Sequence, residues 1–123
     1  MRRTTILVAD DHPMICAVLR KMLEPAHDLI DCVGDGRTLV RIALDKKPDL
    51  VLADLGLPGM NGLEAGRELK KLMPGLRLIF LTMNRDPDIV REAFRIGASG
   101  YVLKDAMGEE LLPAIHDAMR QPL

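Results

Sequence analysis

The sequence predicts an α/β domain: one parallel sheet of five strands, doubly wound by five helices. Three observations carry this prediction. Five short apolar runs alternate with five segments whose apolar residues recur at helical spacing, the pattern of a parallel sheet covered on both faces. Proline and glycine punctuate nearly every change of pattern. Four of the five runs end on a polar residue, whereas the interior of each is apolar.

The first run, Thr5-Ile6-Leu7-Val8-Ala9, reads as a buried strand that stops at Asp10-Asp11. Pro13 suits the first turn of a helix with Ile15, Val18, Leu19, Met22 and Leu23 facing inward, ended by Pro25. Leu29 to Val33 reads as a second strand, and Asp31 within it marks an edge. Gly34-Asp35-Gly36 turns into a second helix with Leu39, Val40, Ala43 and Leu44 inward, closed by Pro48. Leu50-Val51-Leu52-Ala53 is the third strand, and Asp54 follows it.

The loop after Asp54 contains Pro58-Gly59, which suits a tight turn, and Asn61 with Glu64, a relative of the capping box. Its helix presents Leu63, Gly66, Leu69, Leu72 and Met73, and Pro74-Gly75 stops it. Leu76 to Leu81 forms an interior strand ended by Thr82. Asp86-Pro87 caps a fourth helix with Val90, Ala93 and Phe94 on one side. Tyr101-Val102-Leu103 is a short fifth strand ending at Lys104, and a last helix runs from near Gly108 to Arg120. Right-handed crossovers leave few wirings, and the flavodoxin-like strand order 2-1-3-4-5 is the expected one.

With 123 residues the chain is read as one domain, residues 1–123. A content of 48% hydrophobic and 28% charged residues belongs to an ordinary globular protein. The net charge of −1 excludes general attraction to nucleic acid or to an anionic membrane. Phe80, Phe94 and Tyr101 are the only aromatics, so no platform for stacking bases exists, and direct DNA binding is not expected. The basic start, Met1-Arg2-Arg3-Thr4-Thr5, is followed by an apolar run too short for a signal peptide or a membrane span. A cytoplasmic location is expected. Cys16 and Cys32 fit no metal spacing and are expected as small, unpaired core hydrophobes.

In the order 2-1-3-4-5 the first and third strands are neighbours. Their carboxyl ends bring Asp10, Asp11 and Asp54 together, and Thr82 and Lys104 arrive from the next two strands. Three converging carboxylates repel one another unless a cation intervenes, and an all-oxygen set with room for water matches Mg2+. Lys104 suits a phosphate oxygen and the Thr82 hydroxyl can donate to another, which makes Asp54 a nucleophile for an aspartyl-phosphate. Taken singly, Asp10 and Asp11 would be helix caps and Thr82 a strand former. His12, His27 and His116 show no ligand spacing and are expected in surface or packing roles. Arg85, Arg91 and Arg95 are expected on a solvated face.

Asp10-Asp11, the stretch from Asp54 through Leu57-Pro58-Gly59-Met60-Asn61-Gly62, Thr82, and Tyr101 with Lys104 together resemble a two-component response-regulator receiver domain, CheY-like. The resemblance covers essentially the whole chain. Val8-Ala9-Asp10-Asp11-His12-Pro13 and Gly97-Ala98-Ser99-Gly100-Tyr101-Val102-Leu103-Lys104-Asp105-Ala106 are similar to the NarL/FixJ branch, whose receivers usually precede a helix-turn-helix domain. No output domain is expected within these residues. The resemblance implies a phosphoacceptor of a phosphorelay and not a multiple-turnover enzyme. Asp54 would take the phosphoryl group from a histidine kinase or phosphotransfer protein. Asp11, Asp10 through water, Asp54 and the Gly56 carbonyl would hold Mg2+. Thr82 and Lys104 would bind the phosphoryl group, and Thr82 and Tyr101 would act as the switch. A homodimer on phosphorylation is a further implication.

Departures from the family pattern are the bulky Met83 after Thr82, Met107-Gly108 where Ser-Pro is common, and Pro113 inside the last helix. Losing a Ser cap costs about 0.5–2 kcal/mol. A haloacid-dehalogenase-type phosphatase would need its second Asp two residues after the first, whereas Asp10 and Asp11 are adjacent. A flavodoxin-like cofactor module would need an uncharged loop after the first strand to meet a phosphate.

Overall fold

The computed structural model describes residues 2–122; Met1 and Leu123, the outermost residues of the expected domain, lie outside them. The elements are β1 (Thr5–Ala9), α1 (Pro13–Leu23), β2 (Asp28–Val33), α2 (Gly36–Lys46), β3 (Leu50–Ala53), α3 (Gly62–Leu72), β4 (Arg77–Thr82), α4 (Pro87–Arg95), β5 (Gly100–Leu103) and α5 (Met107–Arg120). A short 3-10 turn, Lys104–Ala106, joins β5 to α5. The strands form one parallel sheet in the order β2-β1-β3-β4-β5, as expected. Ala9 pairs with Ala53, so Asp10 and Asp54 leave neighbouring strands at the same level. Thr82 pairs with Leu103, which puts Lys104 one step beyond it on the same rim.

Both faces of the sheet are covered, which explains why its inner strands are apolar throughout. On one face Leu7, Ala9, Val51, Ala53, Leu78 and Phe80 pack against α2, α3 and α4 through Leu39, Ala43, Ala65, Leu69 and Ala93. On the other, Ile6, Val8, Leu50, Leu52, Ile79 and Leu81 meet α1 and α5 through Leu19, Leu23, Leu111, Ile115 and Ala118. The inward stripes are narrower than the spacing suggested. Val18, Leu44, Leu72 and Phe94 are 39–50% exposed. A helix touches a sheet along one row, and a residue next in sequence to that row is turned about 100° away from it.

Local chemistry explains the boundaries. Asp35 accepts from the Thr38 amide at 2.8 Å and caps α2, and Lys47 leaves that helix in the left-handed region at φ 50° just before Pro48. Asn61 and Glu64 form a full capping box at the start of α3. Gly59 adopts φ 71° after Pro58, the positive φ that the turn demands. α5 begins without a side-chain cap and holds Pro113 internally, yet it is continuous over 14 residues. The proline removes one backbone bond without delaying the helix, because Leu111, Ile115 and Ala118 are anchored in the core.

The two cysteines correct the expectation drawn from spacing. Cys16 on α1 and Cys32 on β2 are joined as a disulfide, with Cα atoms 6.2 Å apart; both are half-buried, and Cys32 packs against the edge of the core. Packing of α1 beside the edge strand brings them within bridging range, and a separation of 16 residues gives no sign of it.

Asp49 locks the start of the sheet. Its carboxylate accepts from the Thr5 amide and from two Arg2 nitrogens, all at 2.9 Å, and from the Thr5 hydroxyl at 3.1 Å. The Arg2 guanidinium, against the opposing effect of burial and with help from Thr5, holds the Asp49 carboxyl below the usual carboxylate range. A depressed carboxyl pKa favours the folded state above the ordinary range, and that gain is lost as pH falls through the lowered value. Asp49→Asn is therefore expected to lower stability by about 1 kcal/mol at neutral pH. The gap from wild type should close in acid, as read from urea unfolding across pH.

Candidate functional site

The backbone ladder continues past the strand ends and pins the site. The Asp10 amide donates to the Val33 carbonyl and the Asp54 amide to the Ala9 carbonyl, each at 2.9 Å. Asp10, Asp54 and Thr82 become the buried polar residues of the rim, while Asp11 remains exposed. Lys104 reaches in from the end of β5. Its Nζ lies 2.7 Å from Asp10 Oδ2 and donates to Asp54 Oδ2 at 3.1 Å. Burial lowers the Lys104 pKa, but the close carboxylates of Asp10 and Asp54 outweigh it and hold the ammonium above its usual value.

One lone pair in this arrangement has no aligned donor. Lys104 approaches Asp10 Oδ2 closely but off the hydrogen-bonding direction, and that buried oxygen has no hydrogen-bond partner. Asp10 Oδ1, by contrast, accepts from the His12 amide at 2.9 Å. Donor atoms of Asp10, Asp11, His12 and Asp54 all lie within 4.8 Å of one another. Three carboxylates converging on one place are the oxygen donor set that a hard divalent cation such as Mg2+ takes. Asp10, Asp11 and Asp54 would hold it. Gly56 belongs to the same place through its backbone, its amide lying 3.4 Å from Asp54 Oδ1.

A cavity of about 410 Å3 opens beside Asp54, lined among others by His12, Gly56, Thr82, Met83 and Lys104. The structure therefore brings together Asp10, Asp11, Asp54, Gly56, Thr82 and Lys104. Met83 lies at the mouth, 58% exposed, rather than filling the pocket. Tyr101 stands apart: its ring meets Phe80 at a centroid distance of 6.4 Å and its hydroxyl donates to the Asn84 carbonyl at 2.7 Å. The capping role open to Asp10 and Asp11 is not used, since His12 is the N-cap of α1 and no side chain caps that helix. Arg85, Arg91 and Arg95 are exposed and paired with Asp105, Asp88 and Glu92.

Three participants escaped the sequence. His12, expected in a surface or packing role, places Nδ1 2.8 Å from Asp10 Oδ1 and 3.2 Å from Asp11 Oδ1. Its position one step after two rim carboxylates was the available signal. Asn84 ties two functional candidates together: its amide donates to Thr82 Oγ1 at 3.2 Å while its carbonyl accepts from Tyr101. Gly62 matters for space. A Cβ there would fall 1.9 Å from the Asp54 carbonyl oxygen, so only glycine lets α3 start against the strand end.

Fold and site together define a doubly wound α/β domain with an acidic, cation-ready pocket on the carboxyl rim of its sheet. The chain belongs to the response regulator receiver domain family, whose model matches residues 6–116. It is 42% identical over 118 residues to the nitrate/nitrite response regulator protein NarL of Escherichia coli (strain K12), covering 93% of this chain and 54% of that protein. It is 36% identical to the transcriptional regulatory protein DesR of Bacillus subtilis (strain 168), covering 94% and 58%. The chain thus spans about half the length of the curated relatives it matches. The crystal structure of a LuxR-family two-component response regulator from Aurantimonas sp. SI85-9A1 superposes with a TM-score of 0.90 at 32% identity, covering 96% of this chain and 86% of that one. This is a receiver domain of a two-component response regulator, and its relatives are signalling proteins. Among the described residues no helix is long and apolar enough to cross a membrane.

Two expected outcomes follow from this geometry. Lys104→Met leaves the nearly buried Asp10 and Asp54 without their counter-charge, and should lower stability in chelator by about 3 kcal/mol, with Mg2+ restoring much of it. Paired urea titrations with chelator and with Mg2+ read both effects. Gly62→Ala should cost about 3 kcal/mol through the clash with the Asp54 backbone, against near neutrality for Gly108→Ala, where a Cβ meets nothing. Thermal unfolding of the two variants compares them directly.

Proposed function

We propose that this domain is the phosphoacceptor of a phosphorelay, taking a phosphoryl group from a histidine kinase or phosphotransfer protein onto Asp54. The observation that carries the reading is the place of Asp54: nearly buried at a strand end, with Lys104 Nζ 3.1 Å from one oxygen and an open cavity beside it. The Asp54 carboxylate attacks phosphorus, an O–P bond forms, the donor's P–N bond breaks, and the departing imidazole takes up a proton. Asp11, Asp54 and the Gly56 carbonyl, with Asp10 through water, would hold Mg2+. When bound, the cation offsets the repulsion between Asp54 and an incoming phosphoryl group and polarises that group. Lys104 then turns from bridging carboxylates to holding a phosphoryl oxygen, and the Thr82 hydroxyl donates to another. Phosphorylation and hydrolysis occur once per cycle, as a switch and not as a multiple-turnover enzyme.

The signal leaves through Asn84. Drawing the Thr82 hydroxyl toward a phosphoryl group weakens its bond with the Asn84 amide, and Asn84 also holds the Tyr101 hydroxyl. Tyr101 borders a surface cleft with Val90, Phe94 and Leu103, so its ring couples the site to the face of α4, β5 and α5. That face controls a dimer or a linked DNA-binding segment, a reading favoured by relatives named as transcriptional regulators that are about twice as long. A cytoplasmic setting goes with such a relay.

Incubation with a small phosphodonor and Mg2+, followed by intact-mass analysis, should give one phosphoryl adduct that Asp54→Asn lacks. An adduct that survives the substitution overturns the assignment. Amide spectra taken with and without donor should move across residues 82–103 as well as around Asp54.

A further inference from the structure

We propose that Cys16 and Cys32 form a reversible dithiol–disulfide site whose state sets how tightly the neighbouring acidic pocket holds a divalent cation. The link to the cation rests on the reading of Asp10, Asp11 and Asp54 given above.

The location of the pair carries the proposal. The disulfide joins α1 to β2, and these two elements form the walls of the Asp10–Asp11 loop. Cys16 Sγ lies 3.6 Å from the Asp10 carbonyl oxygen, and the Cys16 amide donates to the carbonyl of His12, the residue that contacts both carboxylates. On the opposite wall, Val33 follows Cys32 and accepts from the Asp10 amide. Cys16 Sγ thus meets the backbone of the loop that presents Asp10 and Asp11, and Cys32 joins that backbone through its neighbour Val33. Within the loop, the buried Asp10 Oδ2 has the Lys104 ammonium 2.7 Å away but no aligned hydrogen-bond donor among the described residues, so its charge is shared with whatever cation the pocket takes.

The bond is reachable and dispensable to the core. Cys16 and Cys32 line an open cleft of about 410 Å3 together with Asp10, Asp11, Pro13 and Gly34, so a small thiol can reach the sulfurs. The edge strand β2 pairs with β1 from Asp28 to Val33 with one register shift, and α1 is anchored in the core by the fully buried Leu19 and Leu23. The fold thus tolerates both states, and the difference between them falls on the loop.

The step is an exchange with a small dithiol. Its thiolate attacks one sulfur, the Cys16–Cys32 bond breaks and a mixed disulfide forms. The second thiol of the reagent then closes on the first, leaving as a cyclic disulfide, and Cys16 and Cys32 remain as thiols. Two electrons and two protons pass from the reagent to the protein. A small-molecule disulfide runs the step in reverse.

With the bridge closed, the loop walls are held together and a cation meets Asp10 and Asp11 already placed. With it open, part of the binding free energy goes into ordering the loop, and affinity falls. By linkage, a cation that prefers the disulfide form makes the disulfide harder to reduce by the same factor.

The test uses the full chain in three forms: oxidised wild type, dithiol-reduced wild type and the double variant Cys16→Ala/Cys32→Ala. Calorimetric titration with Mg2+ alone should give an affinity about fivefold or more higher for the oxidised form, with the double variant matching the reduced one. Thiol counting across buffers of dithiol and disulfide should show one two-electron transition that Mg2+ moves toward the disulfide by the same factor. Thiols that never pair, or a bond that no dithiol opens while the chain stays folded, overturn the redox site. Equal Mg2+ affinity in all three forms overturns the coupling and leaves the phosphoacceptor reading intact. Absence of Mg2+ binding in every form overturns the cation reading as well, which separates the two failures.

Discussion

Asp10 and Asp54 lie side by side and nearly buried, and the ammonium of Lys104 holds them there. Two carboxylates this close repel strongly wherever water is excluded, so the rim could not form from β1 and β3 alone. The counter-charge comes from the end of β5, two strands away across the sheet. Site and sheet are thereby coupled: without a bound cation, docking of the far strand supplies the charge that offsets the acidic pair. Gly62 supplies the steric half of the same constraint, since α3 begins against the Asp54 carbonyl with no room for a side chain.

A pocket that carries its own cation also has a built-in response. Under the proposed function, a phosphoryl group arriving at Asp54 would bring negative charge that competes with the carboxylates for Lys104 and draws on the Thr82 hydroxyl. Thr82 is tied to Asn84, and Asn84 to Tyr101, so the perturbation has a short polar route outward. Phe80 backs the Tyr101 ring and is itself fully buried, so the inner end of this route is fixed in the core while its outer end lies at the surface. Lys104 pairs with both carboxylates in the folded chain, so loss of stability in its variants does not argue against the proposed phosphoryl-binding role.

Opposite that route lies the second device, the Cys16–Cys32 bridge, which braces the loop carrying Asp10 and Asp11. The two arrangements act on different walls of one pocket. Thr82 and Lys104 come from β4 and β5, whereas the bridge constrains α1 and β2. A pocket braced from both sides can be tuned from either without unfolding the sheet between.

The amino-acid order by itself determined the number and kind of the elements, because period and punctuation are local properties. Pro13, Asn61 and Asp86-Pro87 mark helix starts in the way backbone chemistry requires, and the apolar runs could be covered only on both faces. Parallel wiring then put every strand's carboxyl end on one rim, so Asp10, Asp11, Asp54, Thr82 and Lys104 were legible as a group. Tertiary structure alone decided what these residues do to one another. The pairing of Lys104 with two carboxylates, the contacts of His12, the Asn84 link and the closeness of Cys16 to Cys32 depend on rotamers and on how helices seat against the sheet. The exposure of Val18, Leu44, Leu72 and Phe94 has the same origin: spacing specifies a helical face to within a residue, and only packing against the sheet selects the row that is buried.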